Sequence, residues 1–211
     1  MNPGCAWRKT RRHHSFLTTS ILGFVLLGLL GCGTTVSRVA PEEQIDLSGQ
    51  WNDVDSQQAA SALVTQALST PWIKDFTVAH GKKPTLIVGN IANKTPEHIP
   101  MKTLVADFER FFINSGAVTV VASAEEREGV RAERQDQQDY ASHETAKSWG
   151  RERGADFMLL GEVNSIFDAK DGKEVKYYQV DCYLVNLEDN TKVWTGFEKI
   201  KKYVGRSKYR P

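Results

Sequence analysis

The chain has 211 residues, 40% of them hydrophobic and 25% charged, and carries a formal net charge of +1. That composition fits one packed domain with something short at one end, and it excludes wholesale disorder. The near-neutral balance argues against a dedicated nucleic-acid binder.

The charge is unevenly spread. Residues 1–31 hold Arg8, Lys9, Arg11 and Arg12 and no acid, and without them 23 basic residues stand against 26 acidic ones. In chain order, "WRKTRRHH" precedes "SFLTTSILGFVLLGLLGCG". A positive head, an apolar stretch from Phe16 to Leu30 and small residues behind it are the three parts of a secretory signal. The stretch is short for a membrane span of about 20 residues, which makes an uncleaved anchor helix the second reading. Leu29-Leu30-Gly31-Cys32 resembles the bacterial lipobox. That resemblance implies cleavage before Cys32, lipid on Cys32, and sorting to the periplasmic face of the outer membrane, because Gly33 stands where retention usually calls for Asp. Cys5 would leave with the signal and Cys32 would be consumed, so Cys182 remains alone and no disulfide framework exists.

Gly33 to about Leu47 is polar and aperiodic, a tether of about 15 residues. The globular part is predicted from residue 48 to 205, with residues 206–211 as a basic tail. Asp55, with Gln58 three residues on, predicts the start of a first helix whose apolar face is Ala60, Leu63, Val64, Ala67 and Leu68. "KPTLIVGNI" predicts a buried strand, Thr85 to Ile91. "VGNIANKTPEHIP" follows, a polar loop in which Asn90, Asn93 and Thr95 are suited to bond nearby backbone while Pro96 and Pro100 stiffen the turn. Met101, Leu104, Val105, Phe108 and Phe112 recur at helical spacing, with Lys102, Asp107, Glu109 and Arg110 turned away and Gly116 closing the helix. "AVTVVAS" predicts a second strand leading into a polar helix, Ala124 to Arg134. "RQDQQDYAS" reads as loop, and "HETAKSWGRERGA" as a short helix capped by Ser142 and closed by Gly154.

Three further strands, "DFMLLGEVNSIF", "KEVKYYQVDCYLVNL" and "KVWTGFEKIKKYV", are joined by short turns and predict an antiparallel meander. Alternation in the middle strand sets Tyr178, Val180, Cys182 and Leu184 on one face and Tyr177, Gln179, Asp181 and Tyr183 on the other. The fold class that results is α/β (α+β): a single domain with a mixed sheet of about five strands and about four helices. The basic residues Lys199, Lys201, Lys202, Arg206, Lys208 and Arg210 read as a solvated strand end and tail, with an anionic partner as the alternative.

Catalytic patterns are absent. There is no G-x-S-x-G and no glycine-rich phosphate cradle behind the signal. His143-Glu144 opens like a zinc motif, but Ser148 follows the position of the second His, and His80, His98 and His143 are far apart. The residues imply no cofactor, no metal, no small-molecule substrate and no enzyme. An exposed polar loop and tyrosine-bearing strand offer contacts instead, since Tyr is enriched at interfaces. The candidate partner-binding residues are Asn93, Lys94, Glu97, His98, Tyr177 and Tyr183, with Cys32 the site of lipid attachment. Trp51 is expected to pack against the first helix.

"SGQWNDVDS", "TLIVGNIANKTPEHIPMKTLVADFERFFINSGAVTVVAS", "GADFMLLGEV" and "YYQVDCYLVNLEDNTKVWTGF", in this order from Ser48 to Phe197, resemble the LpoB family of outer-membrane lipoproteins. The resemblance implies a fold related to the N-terminal domain of TolB. It also implies a non-catalytic role, in which the protein binds a bifunctional penicillin-binding protein and stimulates peptidoglycan synthesis. Its departure is the tether, because family members carry a long Pro-rich linker. The alternative is an envelope or secretion-complex assembly lipoprotein on the same fold.

Overall fold

The computed structural model describes residues 36–40, 43–148 and 150–205. The signal, Cys32, and Arg206, Lys208 and Arg210 lie outside the described residues. The chain divides into residues 1–43 and a compact unit, Gln44–Pro211. Of the first, residues 36–40 are exposed and lack regular structure, and the Glu43 amide donates to the Ala40 carbonyl.

The compact unit contains, among the described residues, helices α1 (Asp53–Leu68), α2 (Trp72–His80), α3 (Met101–Ser115) and α4 (Ala124–Tyr140). Its strands are β1 (Thr85–Asn93), β2 (Thr119–Val120), β3 (Phe157–Lys170), β4 (Lys173–Asn186) and β5 (Lys192–Gly205). They form one sheet in the order β2-β1-β3-β4-β5. β1 is parallel to both neighbours, and β3, β4 and β5 are antiparallel. The mixed α/β class and the C-terminal meander follow the sequence reading.

The core lies on one face of the sheet. Leu86 and Val88 of β1, Leu159 and Val163 of β3, and Tyr178, Val180, Cys182 and Leu184 of β4 meet α1 through Ala59, Ala60, Leu63 and Val64. They meet α3 through Leu104, Phe108 and Phe112. Each fully buried aliphatic or aromatic side chain is worth about 1.5–3 kcal/mol, so this layer supplies the main drive for folding. Gly196 on β5 makes room for a neighbour: a Cβ there would occupy the place of the Trp194 indole.

Several local expectations are corrected. α1 begins three residues early: Asn52 is the cap, and Asp55 is the third helical residue that closes the capping box, not the cap itself. α2 was not foreseen. Its signals are Pro71 ahead of the first turn and a left-handed Gly81 behind it, and Trp72 and Phe76 pack edge-on against Phe157. α4 continues to Tyr140, so residues 135–140 are helix rather than loop. Beyond it Ser142 and Thr145 close only turns, and no helix forms at 142–148 or 150–154. The second strand shrinks to two residues. Asp107 does not face solvent; its side chain is buried on α3 and bonded to Arg110 of the same helix at 2.7 Å.

A polar keystone and two open surfaces

The loop between β1 and α3 is built from the residues that marked it in the sequence. The Asn93 carboxamide donates to the Glu97 carbonyl at 2.7 Å and accepts from the Thr95 amide at 2.9 Å and hydroxyl at 2.8 Å. This side-chain-to-backbone bonding is what Asn and Thr supply in tight connections. The result turns the Glu97 side chain inward, while Lys94 and His98 are exposed.

Glu97 is a hub. Its carboxylate accepts from the Trp51 amide at 3.2 Å, from the Tyr178 hydroxyl at 2.9 Å to each oxygen, and from Lys176 Nζ at 3.3 Å. Lys176 and Glu97 side chains are only 9% and 12% exposed. Burial first, and the Glu97 carboxylate second, push the Tyr178 hydroxyl well above the ordinary tyrosine value, so it stays a proton donor. The Trp51 indole donates to Ser56 at 2.8 Å and meets the Tyr178 ring edge-on, packing against α1 as expected. Three segments far apart in sequence, the strap, the β1–α3 loop and β4, meet at one carboxylate.

A second ion cluster fastens the entry strap. Lys202 Nζ lies 2.6 Å from Asp55, 2.7 Å from Asp46 and 3.1 Å from the Gln50 carbonyl. Burial alone would push Lys202 down, but the hydrogen bonds it donates to Asp46 and Asp55 outweigh it and raise its value. Gly49, with φ of 67°, turns the strap beside Val204. Residues 46–52 are thereby held to the end of β5 and the start of α1, and Lys202 is not part of a solvated basic patch.

Among the described residues, no helix covers the opposite face of the meander. Register sets Leu160, Tyr183 and Thr195 in one row, Glu162, Asp181 and Phe197 in the next, and Ile166, Tyr177 and Lys201 beyond. Tyr177 and Tyr183 are half-buried there. The Tyr177 hydroxyl donates to Gln179 at 2.8 Å, and Lys192 Nζ stands 3.9 Å from the Tyr183 ring centroid. Ile166 and Phe197 are 66% and 52% exposed. Of the residues read as contacts from sequence, Lys94 and His98 lie on the loop's outer side and Tyr177 and Tyr183 on this open face. Asn93 and Glu97 spend their side chains inside the fold.

A cleft of about 730 Å³ lies at the other edge of the sheet, between β1, α3 and the start of α4. No sequence motif announced it, because it is made where β2 stops after two residues and leaves β1 uncovered. Among the described residues, no cluster of three or more His, Cys, Asp and Glu side chains could hold a metal, and no helix is long and apolar enough to cross a membrane. Cys182 is buried and burial pushes its thiol up to about 12, which makes it an inert core group.

The fold and its inward-facing polar hub define a small non-repetitive α/β module with open, polar–aromatic surfaces. A family model described as "Peptidoglycan-synthase activator LpoB" matches residues 55–200, and the chain belongs to that family. Among solved structures, the LpoB C-terminal domain of Escherichia coli is 15% identical, covering 72% of this chain and 99% of that one at a TM-score of 0.38. The Salmonella enterica LpoB C-terminal domain is 17% identical over the same shares, at 0.36. Lipoprotein GNA1162 of Neisseria meningitidis is 14% identical, covering 59% of this chain and 87% of that one at 0.39. No curated protein matches the chain. Membership rests on the match over residues 55–200, not on these distant structural likenesses.

Proposed function

We propose that this chain is a non-catalytic lipoprotein, anchored through Cys32 on the periplasmic face of the outer membrane, that binds a bifunctional penicillin-binding protein and activates it. The observation that carries this reading is the family match over residues 55–200. The burial of Glu97, Asp55 and Cys182 in packing roles fits a module that works by contact. Lys94, His98, Tyr177 and Tyr183 are the proposed contact residues from the sequence that keep exposed or half-exposed side chains.

The strap limits the reach of such an anchor. Asp46 is fastened to Lys202, so the free tether is at most the 13 residues 33–45. That spans about 43–47 Å at full extension, at ~3.3–3.6 Å per residue. The synthase must therefore bring its docking domain toward the anchored module. Capture of the full-length protein from detergent-solubilised envelopes tests the reading. Specific recovery of a bifunctional penicillin-binding protein is expected. Recovery of secretion or outer-membrane assembly components without any synthase overturns it. Cys32→Ala should release the protein from the membrane fraction.

A further inference from the structure

The cleft beside β1 combines an apolar floor, an unpaired strand edge and a cluster of carboxylates. Its floor is apolar: Ile87, Met158 and Leu160 carry the open face of the sheet into it, and Met101, Val105 and Ala106 of α3 form one wall. Its strand edge is unpaired. β2 pairs with Thr85 and Leu86 and ends there, with the Val121 amide on the Leu86 carbonyl. From Val88 onward, among the described residues, no strand lies beside β1 on that side. An exposed strand edge of this kind is a template for an added strand.

The third feature is charge. Among the described residues, Glu109 of α3 and Glu125 and Glu126 of α4 line the cleft with a single cation, Lys102, which is paired to Glu125 at 3.1 Å. Glu126 closes the α4 capping box with Ser123, whereas Glu109 has no hydrogen-bond partner among the described residues. Burial, and then the neighbouring Glu126 carboxylate, push Glu109 above its ordinary value. A cation arriving between Glu109 and Glu126 would relieve that repulsion.

We propose that this cleft receives an extended segment of a partner protein in which aliphatic side chains alternate with lysine or arginine, added as a strand to the open edge of β1. Backbone bonding to the edge supplies affinity, and alternate side chains supply selectivity, one set on the apolar floor and the other toward Glu109 and Glu126. The inference rests on the reading that the domain works by docking a protein, and it assigns the face and the chemistry of what docks. The charged helix α4 buries none of its own residues in the domain. As the outer wall of the cleft, its first turn acquires a role.

The test uses the full-length protein in detergent and two capped hexapeptides, one alternating lysine and valine, the other glutamate and valine. Amide shifts and calorimetric titration are the readouts. The lysine peptide is expected to perturb residues 87–91, 105–109 and 124–126, and the glutamate peptide to leave them unchanged. Glu109→Gln combined with Glu126→Gln keeps the capping box and should weaken binding about tenfold, the worth of one charge-assisted contact. Ala106→Arg, on the exposed side of α3, should abolish binding, and Phe197→Ala on the open sheet face should not change it. The proposal fails if neither peptide binds, if both bind alike, if the glutamine variant is indifferent, or if shifts map to β4 and β5. It also fails if sedimentation shows self-association that Ala106→Arg breaks, since the occupant is then a second copy. A protein that captures the synthase but ignores the peptide loses the cleft and keeps its proposed function. One that binds the peptide and captures no synthase keeps the cleft and loses that function.

Discussion

Two clusters of opposite charge in this molecule have similar distances and different consequences. Around Glu97, a carboxylate, a lysine, a tyrosine and a backbone amide are closed off between the strap, the β1–α3 loop and β4. On the outside of α4, Glu152 is gripped by Arg131 at 2.8 Å and Arg134 at 3.1 Å. Hydrogen bonds from Arg131 and Arg134 hold the Glu152 carboxyl down at about 2, yet the group lies in solvent and the pair is screened by salt. Geometry alone does not tell which cluster stabilises the fold. What distinguishes them is what each would leave behind when broken: a buried, unpaired group in the first case and a hydrated one in the second.

The largest effect should come from Glu97→Ala. It removes the acceptor of the Trp51 amide and leaves Lys176 only Glu174 at 3.7 Å and the Tyr178 hydroxyl only the Gly49 carbonyl at 3.4 Å, a loss of about 3 kcal/mol, the lower end of that for breaking a buried pair. Denaturant unfolding measures it, and Glu97→Gln should recover part of the loss through the same acceptor position. A Glu97→Ala protein as stable as the parent would erase the contrast between the two clusters.

Lys202→Ala ranks next, because it leaves Asp55 buried without its cation and frees the strap at Asp46. The pH dependence carries a definite sign. Lys202 is raised in the folded state, so its contribution is complete below the ordinary lysine value of 10.5 and is lost as pH rises above it through the folded value. The parent should therefore lose stability in that alkaline window more steeply than Lys202→Ala does. Equal slopes would show that the clamp does not discriminate between the two protonation states.

Cys182 gives a smaller, sharper readout. With its thiol pushed up to about 12 and no exposed surface, it should react with a thiol reagent only at the rate of unfolding. Fast labelling of the native protein would place β4 outside the core. Arg131→Ala should do least. Its melting midpoint should match the parent's, and any difference at low salt should vanish at high salt.

The contrast also explains what the sequence could reveal. α3 was legible because Leu104, Phe108 and Phe112 repeat at helical spacing, and the meander because its turns and alternation are local. α2 was missed because its nine residues hold too few turns to establish a period. α4 outran its expected end because residues 135–140 are polar all round, and polarity without a period reads as loop. The hub could not be read from sequence as a unit, since Glu97 lies 79 and 81 positions from its partners Lys176 and Tyr178. One signal did point to it. Lys176 falls in the same phase of β4 as Tyr178 and Val180, and a lysine on the buried side of a strand requires a carboxylate. Lys202 stands in the same relation to Ile200 on β5, and its carboxylates are Asp46 and Asp55. The cleft had no sequence signature, because it arises from where β2 ends and not from what any segment contains.

The most direct measurement is the rate of glycan polymerisation by a purified bifunctional penicillin-binding protein, with and without the full-length protein, in a common detergent. Stimulation that saturates with added protein, while the protein alone turns over no peptidoglycan fragment, is the predicted result. An unchanged synthase rate at saturating protein, or turnover by the protein alone, would contradict a non-catalytic activator.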